Sequence, residues 1–310
     1  MPRLVPLPTE FRHRAFSTDE AHRAGLGDGR LRGGDLHRPF HGVRSTAEAT
    51  DLADRCRSYL PRLRDGQFFS HETAARLWGV PLPAEEGPWA PLHVSAFAPN
   101  RPPRTRGVVG HELRPGTVQV RLRAGLPVAA PASTWLQLGS VLGVADLVAA
   151  ADHLALDPVV LDPRDPRPYV AESELAAALR DFRGRGRRAL VAALELTRPG
   201  AESRPETLLR LLLVRAGLPE PEVNVAVRDA HGRFVARVDL AYPDLRVAVE
   251  YDGDHHRTST LAYEHDIARF DRLHEAGWRV VRVRARGLFR HPDDTVDRVR
   301  RALAAARPGA

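Results

Sequence analysis

The sequence predicts an α/β chain built from more than one domain. Apolar residues recur at helical spacing in some stretches and alternate at strand spacing in others, and the two kinds interleave through the middle and C-terminal parts. At 310 residues the chain has room for about two domains, or three small ones, at roughly 150 residues each. Hydrophobic residues make up 43% and charged residues 27%, which supports buried cores and excludes intrinsic disorder. With 24 Gly and 26 Pro, turns are plentiful and the elements should be short.

The first part, residues 1–64, reads as short helices followed by a hairpin. Ser17-Thr18-Asp19-Glu20 caps a helix carrying Ala21 and Ala24, Gly25-Leu26-Gly27 stops it, and Asp28 starts a second short helix through Leu31. Leu36 to Val43 has strand character and a third helix is expected over Ala47 to Leu60. Helix, tight Gly turn, helix and wing is the order of a winged helix-turn-helix, whose second helix enters the major groove of DNA. Arg30 and Arg32 on or just after that helix, with Arg38 in the wing and Arg44 beside it, are then the DNA-binding candidates. The same pattern also suits a small helical docking module.

Residues 65–198 form a middle α/β region. A helix is expected over His71 to Trp78, strands over Leu92 to Ala96, Val108 to His111 and Val118 to Arg121, and long Ala/Leu/Val helix within Thr134 to Leu156. It contains no phosphate loop, no paired carboxylates at useful spacing and no nucleophile motif; His71, His93 and His111 are scattered and read as surface or core residues. Arg183-Gly184-Arg185-Gly186-Arg187-Arg188 is a basic linker ahead of a helix from Ala189 to Leu196, suited to phosphate contact or to a solvated hinge.

Residues 199–310 carry the chemistry. Ser203 caps a helix to Ala216; strands follow over Glu222 to Asp229, Phe234 to Ala241 and Leu245 to Asp252; then come a loop with two His, a helix from Ser259 to Ala276, a strand over Trp278 to Arg284 and a helix from Asp293 to Ala306. If the turn after the second strand is centred between Asp244 and Leu245, Asp239 stands opposite Glu250 on one face, with Asp252 beside it. Val238, Leu240, Val249 and Tyr251 take the other, apolar face. Three converging carboxylates repel one another unless a cation sits between them, and oxygen-only ligands select a hard divalent ion, Mg²⁺ or Mn²⁺. Such a site can hydrolyse a phosphodiester.

The motifs Val238-Asp239-Leu240-Ala241-Tyr242-Pro243, Val249-Glu250-Tyr251-Asp252-Gly253 with His256 after it, Asp266-x-x-Arg269-x-x-x-Leu273 and Gly277-Trp278-Arg279-Val280 resemble a known family over about the last hundred residues. They are similar to the very-short-patch-repair-like branch of the PD-(D/E)XK, or restriction-endonuclease-like, nucleases. The resemblance implies a four-stranded mixed sheet flanked by helices, a metal held by Asp239 and Glu250 with Glu206 added from the preceding helix, and DNA as substrate. In the wider superfamily a Lys follows the second acid by two positions, and here that slot is Asp252. No lysine occurs anywhere in the chain, and an arginine does not release its proton. Water activation falls to the metal, a carboxylate or His256, whose imidazole titrates near neutrality.

Each of these residues has a plainer use. Ser203-x-x-Glu206 is a complete capping box, and one helix N-terminus can serve both ends. His255 and His256 also read as loop residues, Asp252 as a strand end, and Asp266 with Arg269 as an i, i+3 ion pair.

In the first half, Phe16 to Ala21, the Arg38-Pro39-Phe40-His41-Gly42-Val43 wing, Ser70 to Val80 and Pro131 to Leu136 are similar to the abortive-infection antitoxin family, which pairs a winged helix with an α/β module. An antitoxin-like transcriptional repressor with a silent nuclease fold is therefore the alternative to a metal-dependent DNA endonuclease. The 46 basic residues, all Arg, exceed the 39 acidic ones, as suits a polyanionic partner and equally a GC-rich genome. A single cysteine, Cys56, excludes an intrachain disulfide and a cysteine zinc cluster. With no apolar leader at the start and no uninterrupted apolar span, a cytoplasmic protein without membrane contact is expected.

Overall fold

The computed structural model describes residues 5–83, 90–253 and 260–306, with side chains described from residue 267 in the last stretch. The architecture is mixed α/β and divides into two compact units, Met1–Val141 with Glu174–Arg187, and Leu142–Ser173 with Arg188–Ala310. The expected divisions after residues 64 and 198 fall inside the first and second unit respectively.

In the first unit, β1 (Phe16–Ser17) leads into α1 (Thr18–Arg23), where the Ser17 hydroxyl accepts from the Glu20 amide and Glu20 accepts from the Ser17 amide, a full capping box. Gly25, at φ +82°, ends that helix, and α2 (Asp28–Leu31) follows. The strand expected over Leu36 to Val43 is not formed. Pro39 and Gly42 bend the segment, so only β2 (Val43–Arg44) pairs with β1, and His37 bridges to Ser45. Next, α3 (Leu52–Tyr59) begins at Leu52 rather than Ala47, because the Asp51 carboxylate accepts from the Asp54 amide and fixes the start there.

A five-stranded sheet completes this unit. It contains β3 (Gln67–Phe69), β4 (Leu92–Phe97), β5 (Val108–Leu113), β6 (Val120–Arg123) and β7 (Leu126–Ala129) in the order β5-β4-β3-β7-β6. Helix α4 (His71–Leu77) runs between β3 and β4, and α5 (Pro131–Leu138) follows β7. The stretch Thr134 to Leu156 is two helices rather than one: α5 stops at Gly139, and Gly143 starts α6 (Val144–Ala155). Beyond it lie α7 (Glu172–Asp181) and α8 (Arg187–Leu196), flanking the exposed Arg183 and Arg185.

The second unit is built on α9 (Arg204–Arg215), β8 (Glu222–Arg228), β9 (Phe234–Tyr242), β10 (Val247–Asp252), α10 (Thr260–Glu275), β11 (Arg279–Arg284), the short α11 (Ala285–Phe289) and α12 (Pro292–Ala305). The sheet order is β11-β10-β9-β8; β8, β9 and β10 meander antiparallel, and β11 joins β10 in parallel across α10. Ladder pairs Val247↔Tyr242, Ala248↔Ala241 and Val249↔Leu240 give the hairpin the register expected from its sequence. Leu209 and Leu213 of α9 and Val299 and Leu303 of α12 pack with Leu240, Val247, Val249, Val281 and Val283. Leu273 and Phe270 of α10 pack instead with Ala241 and Ala248, so both faces of the sheet are covered.

Helix α6, expected in the middle region, packs on α9 within the second unit. Arg204 makes two hydrogen bonds to one oxygen of Asp146, at 2.8 and 2.7 Å. Deeper in, Asp152 and Arg210, each with a side chain 1% exposed, lie 3.3 Å apart, and Asp152 also accepts from the Thr207 hydroxyl and the Arg198 amide. Such a pair is costly to break, since removing one partner strands a buried charge. It fixes the first turns of α9, where Glu206 sits.

Candidate functional site

The register of β9 and β10 determines the site. Beyond the Val249↔Leu240 pair, Asp239 and Glu250 come next on facing strands, and there the ladder gives way to a side chain: the Asp239 Oδ2 accepts from the Tyr251 amide at 2.8 Å. Glu250 is 5% exposed and is gripped by Arg269 of α10, whose Nη1 and Nη2 each donate to one carboxylate oxygen at 2.6 Å. Arg269 also donates to the Arg237 carbonyl at 2.7 Å. Glu206, in the first turn of α9, accepts from the Ser203 hydroxyl at 2.7 Å and the Glu202 amide at 2.8 Å; the Ser203 hydroxyl caps the Glu206 amide, but the expected capping box is only half formed, because the carboxylate reaches the Glu202 amide instead of that of Ser203.

Electrostatics mark the three acids as a group. Burial pushes the Glu206 carboxyl up to about 7, and the negative charge of Asp239 adds to the rise. Asp239 is raised chiefly by burial, against the opposing pull of the Tyr251 amide. Glu250 is raised by burial even with Arg269 bonded to it.

The acidic face differs from the expected carboxylate cluster, because arginines of α10 and β11 enter it. Arg282 stands beside Glu250 and Arg284 beside Asp252 in the parallel ladder, and both donate to Asp252, at 2.9 and 3.1 Å. Asp252 is thus neutralised in place, and Arg269 turns to the sheet. Neither partnership is visible in local spacing. His255 and His256 lie outside the described residues, as does the side chain of Asp266.

Hard carboxylate oxygens suit a divalent ion in donor chemistry, and among the described residues no cation is bonded to Asp239 or Glu206. Arg269 supplies the positive charge at the third acid, Glu250. Among the described residues, the group of three potential ligands drawn within 4.8 Å of one another is a different one, His71, His93 and His111.

The arginines expected on DNA separate into two kinds. Arg30, its side chain 7% exposed, bonds both oxygens of Asp35 and the Val5 carbonyl, and serves as an internal strut. Arg32 and Arg38 are exposed, while the half-buried Arg44 donates to the Leu31 carbonyl at 2.6 Å. Arg38 and Arg44 line a cavity of about 590 Å³ with Phe40, His41, Arg55 and Arg106. Arg55 and Arg106 carry no local sequence signal; they come from α3 and the loop before β5, far apart in the chain.

A meandering three-strand sheet joined in parallel to a fourth, with acids at the end of its central hairpin, defines a restriction-endonuclease-like domain, and residues 217–303 match the restriction-endonuclease-like family REase_MTES_1575. That match takes in Asp239, Glu250, Asp252 and Arg269 and leaves Glu206 outside. The chain belongs to the same family as two proteins of Mycobacterium tuberculosis, "Uncharacterized protein Rv2248" of strain H37Rv and "Uncharacterized protein MT2308" of strain CDC 1551. It is 33% identical to each over 213 residues, 64% of this chain and 74% of theirs. The crystal structure of the RV2827C protein from Mycobacterium tuberculosis aligns with 59% of this chain and 77% of its own at 18% identity, with a TM-score of 0.38, too low to establish a common fold. No helix among the described residues is long and apolar enough to cross a membrane.

Proposed function

We propose that this chain is a divalent-metal-dependent DNA endonuclease of the very-short-patch-repair-like branch, brought to DNA by a winged-helix module in its N-terminal segment. The observation that carries this reading is the placement of Asp239 and Glu250 next to each other on the facing strands β9 and β10, within the residues that match the restriction-endonuclease-like family. Asp239, Glu250 and Glu206 would hold Mg²⁺ or Mn²⁺. A metal bound there supplies Lewis acidity to a phosphodiester and a nucleophilic water at neutral pH. Around it, the Tyr251 amide orients Asp239, Arg269 orients Glu250, and Ser203 orients Glu206. With Asp252 in the slot where a lysine is usual, His256 is the group of the motif suited to carry a proton near pH 7. Arg38, Arg44, Arg55 and Arg106 offer a cationic cavity to backbone phosphates.

Purified full-length protein incubated with supercoiled plasmid and Mg²⁺ or Mn²⁺ is expected to nick or linearise it, and EDTA to prevent this. A second reading, an antitoxin-like repressor with a silent nuclease fold, is favoured by one observation: Arg269 occupies both oxygens of Glu250. DNA binding without cleavage of double- or single-stranded DNA in either metal would replace the first reading with the second.

A further inference from the structure

We propose that His71, His93 and His111 form a three-imidazole site for a divalent transition-metal ion, with Zn²⁺ the best fit, in the first unit and independent of the carboxylates. These residues are separated along the chain, and the fold gathers them. His93 on β4 and His111 on β5 share a sheet face, because Ser95 is the ladder partner of His111 and His93 lies two residues before Ser95. His71 opens α4 and reaches the same place.

His71 and His93 each have one nitrogen held by a partner outside the group and one left for the ion, while His111 turns its Nε2 to His93. His93 Nε2 lies 2.8 Å from a Glu72 carboxylate oxygen, which makes that nitrogen the donor and leaves Nδ1 with its lone pair. That Nδ1 stands 3.0 Å from His111 Nε2. His71 Nδ1 lies 3.0 Å from the Ser70 hydroxyl, itself 2.7 Å from the buried Ser95 hydroxyl, so Nε2 of His71 is its open nitrogen. The His71 and His111 rings stack with centroids 3.7 Å apart. One ligand atom from each of the three lies within 4.8 Å of the others, where a tetrahedral zinc site with Zn–N bonds of about 2.0–2.1 Å needs roughly 3.3 Å. Binding the ion requires the His71 and His111 rings to turn out of their near-parallel stack.

Three further observations support a metal rather than a hydrogen-bonded stack. His71 holds φ at +49°, a left-handed conformation that costs energy in a residue with a β-carbon and is retained where a side chain must be aimed. Its amide is pinned by the Gln137 side-chain oxygen at 2.8 Å. Glu72 on the far nitrogen of His93 is the carboxylate–histidine–metal arrangement that fixes tautomer and raises ligand basicity. Imidazole donors favour Zn²⁺, Cu²⁺ or Ni²⁺ over Mg²⁺, so the two sites would take different ions. Three protein ligands leave a fourth position for water.

The test uses the full chain, freed of any histidine tag and stripped of metal. Equilibrium dialysis against Zn²⁺ with millimolar Mg²⁺ present, followed by elemental analysis, is expected to return one tightly held zinc per chain. Asp239→Asn should retain it, His93→Gln with His111→Gln should lose it, and Glu72→Gln should weaken it by about 10- to 100-fold. Should the histidine double variant fail to fold, Co²⁺ titrated into the parent protein decides, since a nitrogen-ligated tetrahedral site gives intense visible bands. Zinc uptake equal in parent and a folded double variant, or only weak octahedral Co²⁺ absorption in the parent, would overturn the proposal.

Discussion

Arg269 holds Glu250 by two parallel hydrogen bonds of 2.6 Å, one to each oxygen, across the gap between α10 and the sheet. The fork geometry is specific to a guanidinium, and a lysine in its place would make a single contact. Because Glu250 is buried, the pair is a structural commitment as well as an electrostatic one.

Arg269→Ala is expected to destabilise the metal-free protein by about 3 kcal/mol at pH 7, because Glu250 is left buried without its counter-charge. Glu250→Gln in the same chain should recover most of the loss. Urea denaturation in EDTA measures both, and an unchanged midpoint for the single variant would show that the pair contributes nothing.

Asp239→Asn and Glu250→Gln should each abolish plasmid cleavage while the far-ultraviolet circular dichroism and DNA affinity stay close to those of the parent. Each substitution removes one charge from the set that would hold the metal. Cleavage at parental rate by both would remove these acids from the active site.

Glu206 gives the metal-free protein a pH dependence of definite sign. Its folded carboxyl sits at about 7, above the ordinary value of 4.5, so the folded state binds the proton more tightly than the unfolded chain. The stabilisation is complete below about pH 4.5 and is lost as pH rises through 7, up to about 3 kcal/mol in all. Denaturation of parent and Glu206→Gln in EDTA between pH 5 and 8 should show a steeper slope in the parent, the part that remains in the variant coming from Asp152, pushed up to about 6 by burial, and from the raised Asp239 and Glu250. Mg²⁺ should restore stability at pH 8.

Arg38→Ala and Arg106→Ala should weaken DNA binding and lower the log–log salt slope by about 0.9 for each phosphate that is no longer neutralised. Arg30→Ala, by contrast, removes the strut to Asp35 and should lower the melting temperature without changing that slope in the folded protein. Fluorescence anisotropy across a salt series separates the two outcomes.

His256→Ala should lower cleavage by about 10²–10⁴-fold and remove an inflection near pH 6–7 from the rate profile, as loss of a general acid or base does. His255→Ala should do much less. A parental rate and profile for His256→Ala would leave proton transfer to the carboxylates and the metal.

The hairpin carrying Asp239 and Glu250 was legible because strand alternation and a short turn fix register with local information alone. Glu206 was equally visible, as the last residue of Ser203-x-x-Glu206, although its carboxylate reaches the Glu202 amide and leaves the box half closed. What sequence concealed was every partnership made across layers. Spacing on α10 pairs Arg269 with Asp266, yet the guanidinium crosses to a strand nineteen residues earlier. His93 and His111 are eighteen residues apart, and only the parallel pairing of β4 with β5 makes them neighbours. The strands β3 and β7, three and four residues long, are too short for alternation to register. The placement of α6 follows from buried charges, Asp152 with Arg210, whose partners lie in another segment.

The parallel strand β11 closes one side of the second unit's sheet, with no further strand beyond it among the described residues. Its sequence, Arg279-Val280-Val281-Arg282-Val283-Arg284, sets three exposed arginines along that border, and Arg298 of α12 donates to the Arg282 carbonyl at 2.9 Å. An incoming β-strand from another chain would have to approach a row of fixed cations instead of a flat apolar ribbon. The border thereby resists edge-to-edge aggregation, and it does so with the same Arg282 and Arg284 that neutralise Asp252 on the inner face.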